Sequence, residues 1–104
     1  MSAVIAVSRS ACETVIHIKG RFTFEVHTQF REAYREDALS LSQGRRFVVD
    51  LTGAEFIDSS GLGMLLLLRE MTDSINSEVE IVNARPEILK MLHTAKFEQL
   101  FKIA

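Results

Sequence analysis

The apolar patterning of this chain predicts an α/β fold in the order β-β-α-β-α-β-α-β, with a mixed, largely parallel sheet. Three observations carry that expectation. The chain opens with two short Val- and Ile-rich runs on either side of a polar break, Ser8-Arg9-Ser10, which is the mark of a strand pair. After that pair, segments with apolar residues at helical spacing alternate with short β-branched runs, as expected for right-handed crossovers. Finally, 104 residues, 47% of them apolar, suffice for one compact core and are too few for two, so residues 1–104 are expected to form a single domain.

Taken in order, Ala3 to Arg9 and Glu13 to Gly20 read as the opening hairpin, with Gly20 ending the second strand. From Glu25 the period changes: Val26, Phe30, Ala33 and Tyr34 share one helix face, while Glu32, Arg35, Glu36 and Asp37 fill the others. Ser42-Gln43-Gly44 breaks that helix, with Gly44 as a turn residue. Arg46 to Gly53 is a third strand, and its continuous Phe47-Val48-Val49 suits a strand flanked by others. A second helix is expected from about Ser60 to Asn76. Glu78 to Ala84 alternates Val79 and Ile81 with Glu78 and Glu80, a fourth strand. Pro86 is placed to open a third helix with Ile88, Leu89 and Leu92 on its apolar face, and Gln99 to Ala104 ends in a short strand. Three helices do not cover both sheet faces equally, so they are expected to pack mainly on one.

Charge and composition exclude several roles. A formal charge of -2 argues against an electrostatically driven nucleic-acid binder, and Arg45-Arg46, the single adjacent basic pair, reads as a solvated turn flank. Cys12 stands alone, so it forms no internal disulfide and no metal-ligand pair, which suits a reducing cytosol. The start of the chain lacks a positive region and a cleavage pattern. The apolar run Met64 to Leu68 is far short of the ~20 residues that span a bilayer. A cytoplasmic protein with no metal, no cofactor and no membrane insertion is expected.

The informative stretch is Phe56 to Leu68, FIDSSGLGMLLLL, in which Asp58, Ser59 and Ser60 stand between a strand and an apolar helix. Sites in open α/β sheets favour loops beyond the carboxyl ends of strands, and residues 56–63 read as such a loop. A helix start offers free N–H groups and partial positive charge, so a Ser there caps the helix or carries an anion. Gly61 and Gly63 keep Cβ atoms away and let another backbone or a bulky group approach. The stretch is neither a G-x-S-x-G elbow nor a phosphate-cradling P-loop. His17, His27 and His93 lie in strand, helix and helix contexts with no matching acid motif, so catalysis through Ser59 is disfavoured. What survives is a Ser that accepts a phosphate. Two stripes follow it: Met64, Leu67, Leu68, Met71 and Ile75 form one, and Leu62, Leu65 and Leu66, ending at Arg69, form the other. One stripe must cover the sheet; the other is buried by neighbouring helices or left partly open as a partner surface.

Residues 48–68, VVDLTGAEFIDSSGLGMLLLL, resemble the signature of the STAS domain, in particular that of bacterial anti-sigma factor antagonists. IHIKGRFTFEVHTQFREAY and ARPEILKMLHTAKFEQLFKI are similar to the family's segments before and after it, so the resemblance covers almost the whole chain. It implies a monomeric, non-enzymatic partner switch in transcription regulation. The unphosphorylated protein would bind an anti-sigma factor that is also a GHKL-type serine kinase. Phosphorylation at Ser59 would switch it off, and a PP2C-type phosphatase would restore it. Asp58, Ser60 and Gly61 would form the phosphosite loop, with Ser60 capping the helix. Arg21, Phe22, Thr23, Leu62, Leu65, Leu66 and Arg69 would form the partner surface. Of Phe22 and Phe24, at least one is expected in the core, and an exposed one would be an interface anchor. Thr23 stands where many antagonists carry an Asp, and Arg21 adds a positive charge. That departure gives weight to an alternative output: a STAS subunit acting on a biofilm or signalling regulator, or serving as an accessory subunit of a membrane transporter.

Overall fold

The computed structural model describes residues 3–40 and 44–104. Five strands form one sheet in the order β1-β2-β3-β4-β5: β1 Val4–Arg9, β2 Glu13–Phe22, β3 Arg46–Ile57, β4 Glu78–Val82 and β5 Lys102–Ile103. β1 pairs antiparallel with β2, and every later pairing is parallel. The helices are α1 His27–Ser40, α2 Ser59–Ser74 and α3 Pro86–Thr94, with single 3-10 turns at Phe24–Val26 and Phe97–Gln99. Among the described residues, no helix is long and apolar enough to cross a membrane.

The helices lie on one face of the sheet, as the helix count predicts. The β residues facing them are Ile16 and Ile18 of β2, Phe47, Val49 and Leu51 of β3, and Val79 and Ile81 of β4, all buried in one core. Val26, Phe30, Ala33 and Tyr34 complete that core from the α1 side, and Ile88 and Leu92 from α3. The opposite face carries Glu13, Val15 and His17 of β2, Arg46, Val48 and Asp50 of β3, and Glu80 and Val82 of β4. Glu80 is buried there, with Arg46 as its ion-pair partner; Arg46 also reaches Glu13 at 3.5 Å.

Two strands run past the glycines expected to end them. Gly20 adopts φ +96 and the ladder shifts register there, so β2 makes an irregular step and continues to Phe22. β3 follows it: Gly20 pairs with Ala54, and Phe22 with Ile57. At this step a Cβ on Gly53 would lie 3.0 Å from Lys19 Cγ, a tight contact that the glycine avoids. The turn expected around Ser42-Gln43 lies outside the described residues, while Gly44 has φ +74, in the left-handed region glycine favours. Arg45 is not a solvated flank. Its guanidinium donates to the carbonyls of Ser10 (2.6 Å), Ala11 (3.2 Å) and Glu13 (3.0 Å) and to the Thr14 hydroxyl (2.7 Å), fastening the β1–β2 turn to the start of β3.

Candidate functional site

The extension of β3 to Ile57 shrinks the expected 56–63 loop to one residue. Asp58 alone separates β3 from α2, with extended backbone at φ -113 and ψ -174. Its side chain accepts a hydrogen bond from the Gly61 N–H at 2.9 Å, and its carbonyl accepts the first helical bond from Leu62 N–H at 3.0 Å. The helix cap is therefore Asp58 and not Ser60. An Asp in this place satisfies an orphan N–H and also sets a negative charge against the positive helix end. Ser59 becomes the first helical residue and is exposed; Ser60 is half-buried beside it.

Gly61 fixes where this junction sits. A Cβ there would lie 2.5 Å from the Phe22 carbonyl oxygen and 2.7 Å from Ile57 Cγ1. Only a hydrogen lets the first turn of α2 rest on the ends of β2 and β3. The same contact sets the segment after β2 beside the Ser59 turn. Thr23 is half-buried, and its carbonyl accepts the Val26 N–H at 3.1 Å to start the 3-10 turn. Arg21 is exposed, with its guanidinium over the Phe56 ring at 4.3 Å, a cation–π contact that closes the end of the sheet.

Two expected partner residues prove to be core. Phe22 is fully buried against Phe30, with ring centroids 5.0 Å apart, because the strand carries it inside. Leu65 is fully buried too. The inward side of α2 consists of Gly61, Met64, Leu65, Leu68 and Thr72, centred between the two stripes read from the sequence. Thr72 escaped notice because its polarity is met inside the helix: its hydroxyl donates to the Arg69 carbonyl at 2.9 Å. Arg69 is half-buried and engaged on its own chain, donating to the Leu100 carbonyl at 2.9 Å and facing Asp73 at 3.6 Å. Leu62 is partly buried against the core.

What remains outside is a coherent strip. Ser59, Gly63, Leu66 and Glu70 follow one another at helical spacing on the outward side of α2, with Leu67 beside them. Leu66 is 40% exposed and Leu67, from the other stripe, is 58% exposed. Phe24, at 61% exposure, stacks on the His27 ring at 4.2 Å. Phe24 is thus the exposed one of the two phenylalanines, and Leu67 joins it on the surface. Two clefts of the described surface, about 320 Å³ around Arg46, Arg69 and Lys102 and about 470 Å³ beside Tyr34, do not include Ser59. Among the described residues no group of His, Cys, Asp and Glu is arranged to hold a metal. One expectation about histidine is overturned: His17 does have an acid, because β2–β3 pairing sets Asp50 directly opposite it, with Nδ1 and Oδ2 3.0 Å apart.

Fold and junction define a class, a one-sided α/β sheet domain whose strand-to-helix junction opens onto an exposed helix side. More particularly, the chain belongs to the STAS domain family: the family model described as "Mlab, STAS domain" matches residues 5–102. A STAS-domain containing protein of Pseudomonas aeruginosa strain UCBPP-PA14 is 44% identical over 104 residues, covering 100% of both chains. Among solved structures, an anti-sigma factor antagonist from Mycobacterium paratuberculosis superposes with a TM-score of 0.82 at 19% identity, covering 98% of this chain and 85% of that one. The phosphorylated form of the Bacillus cell fate determinant SpoIIAA gives 0.76 at 16% identity, covering 97% of this chain and 91% of that one. At such identities these two structures share the fold.

Proposed function

We propose that this protein is an anti-sigma factor antagonist switched by phosphorylation of Ser59, acting in the cytoplasm as a binding protein and not as an enzyme. Unmodified, it docks on an anti-sigma factor, a GHKL-type serine kinase, through Thr23, Phe24, the Ser59 turn and the outward side of α2. One observation carries the reading: an exposed Ser at the first turn of α2 heads a strip containing two exposed leucines. A phosphate there adds about -1.5 to -2 charges beside the Asp58 carboxylate. A partner surface fitted to a neutral hydroxyl and apolar side chains then meets a desolvated dianion. A PP2C-type phosphatase would reset the switch. Thr23, lacking the acid common at its position, leaves less negative charge around the phosphoserine, and Arg21 is held over Phe56.

The test is a binding titration against the partner captured from cells. Ser59→Asp is expected to weaken binding by at least about tenfold, or 1.4 kcal/mol, while Ser59→Ala binds like wild type. Equal binding by both variants would place the switch elsewhere. Capture of a transporter ATPase instead of a kinase would retain the docking surface and replace the output.

A further inference from the structure

The helix-free face of the sheet holds a constellation that the docking function does not use. Three strands supply it. Ser8 of β1, His17 of β2 and Asp50 of β3 stand in line, with Ser8 Oγ 3.2 Å from His17 Nε2 and His17 Nδ1 3.0 Å from Asp50 Oδ2. Register explains the line: His17 is opposite Asp50 in the parallel ladder, and Ser8 is one diagonal step away, opposite Val15 in the hairpin. We propose that Ser8 is a nucleophilic serine, with His17 as its general base and Asp50 as the residue that positions the ring, and that it takes acyl groups from activated esters.

The protonation pattern follows from the partners of Asp50. Partial burial raises its pKa, but this is outweighed by hydrogen bonds from the Thr52 hydroxyl (2.6 Å) and N–H (3.0 Å), the Asn83 amide (3.3 Å) and the His17 ring, which hold it at about 2. Asp50 is therefore an acceptor only. The ring proton sits on Nδ1 and points at Asp50, which leaves the Nε2 lone pair for the Ser8 O–H. This is the division of labour that lets a hydroxyl attack: base within hydrogen-bond reach, and base oriented by a third group. His17 is half-exposed and Ser8 is exposed, so an electrophile can reach the oxygen. Val15, opposite Ser8, offers an apolar side chain for the acyl group.

The step balances without an oxidant or cofactor. The Ser8 Oγ–H proton passes to His17 Nε2 as Oγ bonds to the ester carbonyl carbon. The bond from that carbon to the leaving oxygen breaks, and the departing group leaves with the electron pair and takes the proton from Nε2. The products are O-acyl-Ser8 and the free alcohol. The step ends at O-acyl-Ser8, a modified side chain and not a product of turnover.

The full chain is incubated with p-nitrophenyl acetate, and acetylated serines are mapped and timed by peptide mass spectrometry. Ser10 and Ser59 serve as internal controls, since both are exposed and Ser10 only donates to the Glu13 carbonyl at 3.4 Å. Ser8 is expected to react about 100-fold faster than either, within the ~10²–10⁴ that a positioned base contributes. His17→Gln, on a half-exposed site that tolerates the change, is expected to remove that advantage. In Asp50→Asn the new amide donates to Nδ1, so the ring proton moves to Nε2, a shift visible in nitrogen NMR, and Ser8 loses its base. Equal rates at Ser8, Ser10 and Ser59 in the wild-type chain, or an undiminished Ser8 rate in His17→Gln, would overturn the assignment.

Discussion

The two sides of α2 have nearly the same composition and opposite fates. Inward, Gly61, Met64, Leu65, Leu68 and Thr72 meet the sheet; outward, Ser59, Gly63, Leu66, Leu67 and Glu70 meet solvent. Each side has a glycine, leucines and a hydroxyl. What separates them is contact, and contact is decided at Gly61, where the helix lies directly on the Phe22 carbonyl and Ile57. Once that turn is seated, the spacing of about 3.6 residues per turn assigns every later residue to core or surface. The lesson is that an apolar helix does not declare its buried side by hydropathy alone.

Substitutions on the two sides sharpen that contrast. The largest effect is expected from Leu65→Ala, which empties a fully buried site and should cost about 2–5 kcal/mol in urea unfolding. Leu65→Asp is accordingly expected to prevent folding and says nothing about docking. Gly61→Ala comes next. Its Cβ has no room against a carbonyl oxygen at 2.5 Å, and the expected loss is about 1–3 kcal/mol despite alanine's better helix propensity. Gly63→Ala is its mirror image: nothing lies within 4 Å of the added Cβ, so thermal unfolding should show a gain approaching about 1 kcal/mol. The smallest change in stability, within about 0.5 kcal/mol, is expected for Leu67→Asp at a surface position. If the outward side is the docking surface, the same variant should lose partner affinity by at least about tenfold in calorimetric titration. A large stability loss in Leu67→Asp would instead mean that the two sides are not separate.

Much of the fold was legible because its signals are local. The α1 face, Val26, Phe30, Ala33 and Tyr34, is buried as its spacing requires, and Pro86 opens α3 where a missing N–H costs nothing. Gly20 and Gly53 look like strand ends in the sequence and lie inside strands in the structure, because a glycine that breaks a strand and one that lets it step out of register look alike in one dimension. The sequence points to Ser60 as the cap and the structure uses Asp58, since both residue types cap helices and a shift of two positions exchanges them. Phe22 and Phe24 differ by two residues and end on opposite sides of the surface, because the first closes β2 and the second opens a 3-10 turn.

By itself the sequence determined the order of elements, the one-sided sheet and the placing of a Ser at the β3–α2 junction. These follow from periodicity and from residue types whose backbone preferences act over a few positions. Only the tertiary structure decided which leucines of α2 are outside, and that His17 has an acid and a hydroxyl in reach. Those outcomes depend on residues 33 and 9 positions apart along the chain being brought into hydrogen-bond distance. Strand register, set by the packing of the whole core and by two irregular steps in the ladder, makes that choice.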